Sequence, residues 1–129
     1  MIKGENDLKT GLVIEDNEDN MILICRLLNK YGYRTLGAGT GKEGFEMIKK
    51  ELPDFVILDI QLPDINGTEV LKMIREDQRC KDIPVIAVTS YAMAGDKERL
   101  LEAGCNGYIE KPISPAIVIT QIKNILNED

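Results

Sequence analysis

Short apolar runs alternate with amphipathic stretches along nearly the whole chain, and that alternation restricts it to βα units wound around a parallel sheet. The runs predict strands over residues 10–15, 34–38, 55–59, 85–89 and 107–110. The stretches between them predict helices over 18–31, 41–51, 66–77, 95–104 and 115–127. Leu12-Val13-Ile14, Phe55-Val56-Ile57-Leu58 and Val85-Ile86-Ala87-Val88 have no polar side, as expected of strands covered by helices on both faces. Helix ends carry their own signals. Thr40-Gly41-Lys42-Glu43 has the form of a capping box, with Phe45, Ile48 and Leu52 on one face after it. Ser114-Pro115 predicts an N-cap with proline in the first turn, and Gly32 and Gly104 predict helix stops.

The residues that close these strands are chemically unlike the strands themselves. Glu15 and Asp16 follow Leu12-Val13-Ile14, Asp59 ends the third run, Thr89-Ser90 end the fourth, and Lys111-Pro112 follow Gly107-Tyr108-Ile109-Glu110. In an open parallel sheet all these ends lie on one rim, where such folds bind ligands. Three carboxylates gathered there are costly, because two like charges about 4 Å apart repel by about 4 kcal/mol even at an effective dielectric near 20. A cation is therefore expected among them. Singly, each residue has a plainer role: Glu15-Asp16 as a solvated strand end, Asp59 as a turn former, Thr89 as a β-branched strand residue, Lys111 as a surface charge. Their joint placement favours a site.

A chain of 129 residues, 43% hydrophobic and 29% charged, makes one soluble domain; the predicted division is an N-terminal extension over 1–9 and the domain over 10–129. No apolar run is long enough to span a bilayer and no signal-peptide pattern is present, which places the chain in the cytoplasm. The net charge of -6 speaks against a nucleic-acid surface and suits a divalent cation. Cys25, Cys80 and Cys105 show no paired spacing for a disulfide framework or zinc. Histidine is absent, which removes Ser-His and Cys-His chemistry.

Glu15-Asp16-Asn17, Asp59 with Leu62-Pro63 and Asn66-Gly67, Thr89-Ser90, and Tyr108 with Lys111-Pro112 together resemble the receiver domains of two-component response regulators. The resemblance runs from Thr10 to Leu126 and is strongest toward single-domain chemotaxis and cell-division regulators and the receivers of hybrid kinases. It implies a flavodoxin-like doubly wound (βα)5 fold with five parallel strands in order 2-1-3-4-5. Asp59 is then the phosphoryl acceptor, fed by a histidine kinase or a histidine phosphotransfer protein. Asp16, Asp59 and the Gln61 carbonyl hold Mg²⁺, and Glu15 acts through a metal-bound water. Lys111 pairs with a phosphoryl oxygen and Thr89 donates its hydroxyl to another. Thr89 and Tyr108 form the switch that alters the face of the fourth helix, fifth strand and fifth helix for a downstream protein target. Gln61 and Tyr91 set the rate of dephosphorylation. The resemblance further implies a cis Lys111-Pro112 bond, autophosphorylation and autodephosphorylation as the only activities, and a monomer or weak dimer.

Two other functions compete with this one, the first through the same aspartyl-phosphate and Mg²⁺ chemistry and the second through the same fold. A phosphatase of the haloacid dehalogenase type needs a second aspartate two residues after the nucleophile, and Gln61 stands there without a transferable proton. A flavin or nucleotide binder brings phosphates to a glycine-rich loop, whereas the first loop reads Glu15-Asp16-Asn17-Glu18-Asp19-Asn20. The run Met21-Ile22-Leu23-Ile24-Cys25 points around a whole helical circumference, so part of it should stay exposed beside the acids. Met21, Leu23 and Ile24 are the expected docking residues for the phosphodonor's helical bundle. The Met1 start and the chain's end at Asp129 lead to the expectation of a stand-alone regulator rather than an excised receiver.

Overall fold

In the computed structural model, which describes residues 8–90 and 96–127, five strands alternate with five helices. The order is β1 (Thr10–Ile14), α1 (Glu18–Lys30), β2 (Arg34–Ala38), α2 (Gly41–Glu51), β3 (Phe55–Asp59), α3 (Gly67–Glu76), β4 (Val85–Thr89), α4 (Asp96–Glu102), β5 (Gly107–Glu110) and α5 (Val118–Ile125). All strand pairs are parallel and the sheet order is β2-β1-β3-β4-β5, as expected.

Successive side chains of a strand face opposite ways, and here both ways lead into a core. Leu12, Ile14, Val56, Leu58, Val85 and Ala87 pack with Ile48 of α2, Val70, Leu71 and Ile74 of α3, and Leu100 of α4. The alternate residues Val13, Phe55, Ile57, Ile86, Val88 and Ile109 pack with Ile24 and Leu28 of α1 and Val118, Ile119 and Ile122 of α5. Each of the three central strands is thus buried on both sides, which is why its sequence shows no polar alternation.

The helix ends follow their local chemistry with two exceptions. Thr40 accepts from the Glu43 amide at 3.1 Å, and Asn17 caps α1 by accepting from the Asn20 amide at 2.9 Å. After α1 the Tyr33 amide donates to Leu28 and that of Gly32 to Asn29; after α4 the Cys105 amide donates to Leu100 and that of Gly104 to Leu101. Both are Schellman ends, with Gly32 at φ 92 and Gly104 at φ 112.

The first exception is α5, which starts at Val118 behind Ile117 with no side-chain cap, so Ser114 is not its N-cap. The Ser114 carbonyl instead accepts from Ile117 N at 3.1 Å and Val118 N at 2.9 Å, closing a turn through Pro115. Serine followed by proline suits the opening of a turn as well as that of a helix. The second is Leu52, which leaves the Phe45–Ile48 face: as the C-cap of α2 ahead of Pro53 it adopts φ 45 and is 46% exposed.

At the opposite end of the sheet, Arg75 in the last turn of α3 ties three connections together. Its Nε donates to Gly104 O at 2.9 Å, its Nη1 to Lys81 O at 2.9 Å and Ile83 O at 2.8 Å, and its Nη2 to Asn106 Oδ1 at 2.9 Å. Asn106 Oδ1 also accepts from the Val85 amide at 2.8 Å, so one side-chain network fixes where β4 and β5 begin.

Candidate functional site

The strand registers place the site. Ile14 pairs with Leu58, Asp59 with Val88, and Thr89 with Glu110, so Glu15, Asp59, Thr89 and Lys111 come out side by side at the C-terminal rim. Glu15 and Asp59 are each 2% exposed and Thr89 3%, a rare degree of burial for such residues. Asp16 is exposed at the mouth. One oxygen from each of Glu15, Asp16 and Asp59 lies within 4.8 Å of the others.

Lys111 reaches into this group: its Nζ donates to Asp59 Oδ2 at 3.0 Å and stands 3.1 Å from Glu15 Oε1. The latter is an ion pair by distance without the angles of a hydrogen bond, and leaves Glu15 Oε1 buried without a hydrogen-bond donor. Asp59 Oδ1 accepts from the Gln61 amide at 2.9 Å, and Glu15 Oε2 accepts from Asn17 N at 3.3 Å. The Lys111-Pro112 peptide is cis.

Burial pushes the Glu15 carboxyl from 4.5 up to about 7; the Asp59 carboxyl beside it adds to the rise and the Lys111 ammonium opposes it. Burial alone would lower the Lys111 ammonium, but Asp59 and Glu15 outweigh it and hold the group above its ordinary value. The pH dependence follows from Glu15. Between pH 4.5 and about 7 the folded protein binds a proton at Glu15 that the unfolded chain has released, so stability falls as pH rises through this window. Urea unfolding in mildly acidic and neutral buffers should show it, and Mg²⁺ should stabilise the protein more in the neutral buffer. Equal stability in both buffers would contradict this placement of Glu15.

Three carboxylates facing one ammonium leave an excess of negative charge, and all the free donors are oxygens. The buried Glu15 Oε1 without a hydrogen-bond donor is the structural mark of this excess. This set fits a hard divalent cation such as Mg²⁺, with Glu15, Asp16, Asp59 and the backbone of Gln61 as candidate holders.

The structure brings together Glu15, Asp16, Asp59, Gln61, Thr89 and Lys111, and shows a link between two of them that the sequence did not disclose. Gln61 Nε2 donates to Thr89 Oγ1 at 3.1 Å, and the Ser90 amide reaches toward Gln61 Oε1 at 3.5 Å. Tyr108 stands apart and half-buried; Lys97 Nζ lies 5.7 Å from its ring centre, and it borders a cleft with Leu101 and Ile125. Tyr91 lies outside the described residues. On α1, Ile24 is only 3% exposed because it packs with Leu28, Val13 and Ile57, so it cannot serve in docking. Ile22, 48% exposed, is the outward residue of the run. Leu23 borders a cleft with Lys111, Pro112 and Ile113, and Met21 is half-buried against Gly37. Asp64, not singled out from sequence, accepts backbone hydrogen bonds from Gly41 and Lys42.

Comparison with known proteins shows the family of the chain. Residues 12–123 match the model of the response regulator receiver domain. The chain is 42% identical over 120 residues to the polar-differentiation response regulator DivK of Brucella ovis, covering 93% of this chain and 98% of that protein. A CheY-like response regulator receiver domain protein from Methanospirillum hungatei superposes with a TM-score of 0.85 at 31% identity, over 94% of this chain and 95% of that one. The receiver domain of the sensor histidine kinase PA1611 from Pseudomonas aeruginosa, solved with a magnesium ion coordinated in its active-site cleft, gives 0.84 at 28% identity, over 94% and 99%. Receiver domains take a phosphoryl group from histidine kinases and act on downstream targets, as signalling regulators rather than metabolic enzymes. A five-stranded sheet in the order 2-1-3-4-5, a rim of buried acids with one lysine, and these matches lead to one assignment: the chain belongs to the response regulator receiver domain family and works in phosphorylation-dependent signalling.

Proposed function

We propose that Asp59 is the phosphoryl acceptor of this receiver. A carboxylate oxygen of Asp59 forms the bond to phosphorus as the bond from phosphorus to the donor's imidazole nitrogen breaks, leaving an acyl phosphate on the protein and a free imidazole on the donor. The observation that carries this reading is the Asp59 carboxylate buried at the rim with the Lys111 ammonium 3.0 Å away and two further acids beside it. Asp16, Asp59 and the Gln61 carbonyl would hold Mg²⁺, with Glu15 acting through a water, and the ion would supply positive charge against the transferring group. Lys111 leaves its carboxylates for a phosphoryl oxygen, and Thr89 donates its hydroxyl to another. As Thr89 advances, Tyr108 turns inward and changes the α4-β5-α5 surface that a target protein reads. Gln61 and Tyr91 control access of the hydrolytic water.

The donor docks over α1 beside the rim, where Ile22 and Leu23 are available and Ile24 is not. Among the described residues no helix is long and apolar enough to cross a membrane, which accords with action in the cytoplasm. Incubation with acetyl phosphate tests the chemistry without any partner. Intact-mass measurement should show one added phosphoryl group with Mg²⁺ present and none after chelation with EDTA. Labelling that ignores Mg²⁺ would defeat the proposal.

A further inference from the structure

The loop between β3 and α3 is closed at its base, where Ile60 N donates to Val88 O at 3.0 Å and Gly67 N to Ile60 O at 2.8 Å. Its apex is fastened to a different element. Asp64 Oδ1 accepts from Gly41 N at 2.8 Å and Asp64 Oδ2 from Lys42 N at 2.9 Å, so both oxygens of one carboxylate are committed to the first turn of α2. The neighbouring Ile65 presses on the same turn: a Cβ at Gly41 would come to 2.7 Å from Ile65 Cγ1 and 2.8 Å from Val70 Cγ2. The Lys42 amide foremost, and the Gly41 amide with it, hold the Asp64 carboxyl below its ordinary range against the opposing effect of burial, so the carboxylate that makes the clasp is ionised at neutral pH.

The helix does not lack a cap of its own. Thr40 already satisfies the Glu43 amide from within the same segment, so a carboxylate from another loop joins two elements as well as finishing one. What it joins matters for the rim. The segment leading into α2 is bound to β1, because Glu15 N donates to Ala38 O at 3.0 Å, and Gly39 borders the cleft that Glu15 and Asp16 line. The clasped loop carries Gln61, whose amide holds Asp59 Oδ1.

We propose that Asp64 is a positioning residue for the cation-binding rim: by pinning the apex of the loop to α2, it fixes where the Gln61 carbonyl and Asp59 stand relative to Glu15 and Asp16. The proposal rests on the reading above that Gln61 and these acids hold Mg²⁺. Groups that orient metal ligands from behind typically cost 10–100-fold in metal affinity when removed, and a clasp three residues from Gln61 belongs at the lower end, roughly tenfold.

Calorimetric titration with Mg²⁺, paired with thermal unfolding, tests the assignment on Asp64→Ala, Asp64→Asn and Thr40→Ala. Asp64→Ala should bind Mg²⁺ roughly tenfold more weakly. Asp64→Asn keeps one acceptor oxygen and should fall between it and the wild type. Thr40→Ala loses the helix's own cap and should lower the unfolding temperature while leaving Mg²⁺ affinity at the wild-type value. With acetyl phosphate as donor, Asp64→Ala should need more Mg²⁺ for half-maximal labelling yet approach the wild-type rate once Mg²⁺ saturates. Wild-type Mg²⁺ affinity in Asp64→Ala, or an equal loss in Thr40→Ala, would reduce Asp64 to a helix cap and overturn the proposal; Asp64→Asn carries the same comparison if the alanine variant does not fold. A wild-type protein that binds no Mg²⁺ would overturn the phosphoryl-transfer reading itself, a distinct result.

Discussion

Asp59→Asn, which should remain folded, is expected to accept no phosphoryl group from acetyl phosphate and to titrate Glu15 closer to its ordinary value. The first effect follows from the loss of the attacking oxygen: a carboxamide oxygen in the same place is a far weaker nucleophile. The second follows from the causes that lift the Glu15 carboxyl, of which burial is the largest and the hydrogen bond and charge of Asp59 come next. With the neighbouring charge removed and Lys111 kept, Glu15 ionises more readily, so the decline in stability between mildly acidic and neutral pH should shrink. Intact mass after labelling and urea unfolding at two pH values check both effects on one protein. A variant that still takes a phosphoryl group, or one in which Glu15 is unmoved, contradicts the role given to Asp59.

Lys111→Met should be the more damaging change for the fold. It leaves Glu15 and Asp59, each 2% exposed, side by side without their ammonium. Breaking a buried pair by removing one partner costs about 3–5 kcal/mol, and the loss here should sit at or below the lower end because Glu15 can take up a proton instead. The variant should therefore regain stability in mild acid and with added Mg²⁺. Its phosphorylation should not recover in the same way. Removing one preorganised donor to a developing charge slows reactions by about 10²- to 10³-fold, and Mg²⁺ cannot stand where the ammonium stood. Wild-type labelling rates in Lys111→Met would assign the lysine to stability alone.

What the sequence disclosed and what it hid divide along physical lines. Strands buried on both faces write themselves as unbroken apolar runs, so β3 and β4 fall where expected and β1 differs only by giving up Glu15; the half-exposed edge strands β2 and β5 carry no such run, yet they too lie where expected. Strand order and rim follow once the runs are parallel, because each strand then delivers its last residue to the same edge. Ser114-Pro115 misled because the same dipeptide serves a turn and a helix start, and only the hydrogen bonds into Ser114 O decide. The run from Met21 to Cys25 gave no phase: five adjacent apolar residues do not say which one faces out, and packing of α1 on the sheet buries Ile24 and leaves Ile22. The contacts of Arg75, Asp64 and the Gln61 side chain were invisible for another reason. Their partners lie 22 to 31 residues away for Asp64 to Gly41 and Lys42, for Gln61 to Thr89 and Ser90, and for Arg75 to Gly104 and Asn106, and polar side chains on loops and helix ends carry no periodic signal.

One buried aspartate at the rim, Asp59, is expected to carry the signal, and the position of the adduct shows whether it does. The protein labelled by acetyl phosphate in Mg²⁺ is reduced with borohydride, which converts an aspartyl phosphate to homoserine, and is then mapped by peptide mass spectrometry. Homoserine is expected at position 59 and at no other carboxylate. Modification at Asp16 or Glu15 in its place, or a labelled protein that yields no homoserine, would contradict it.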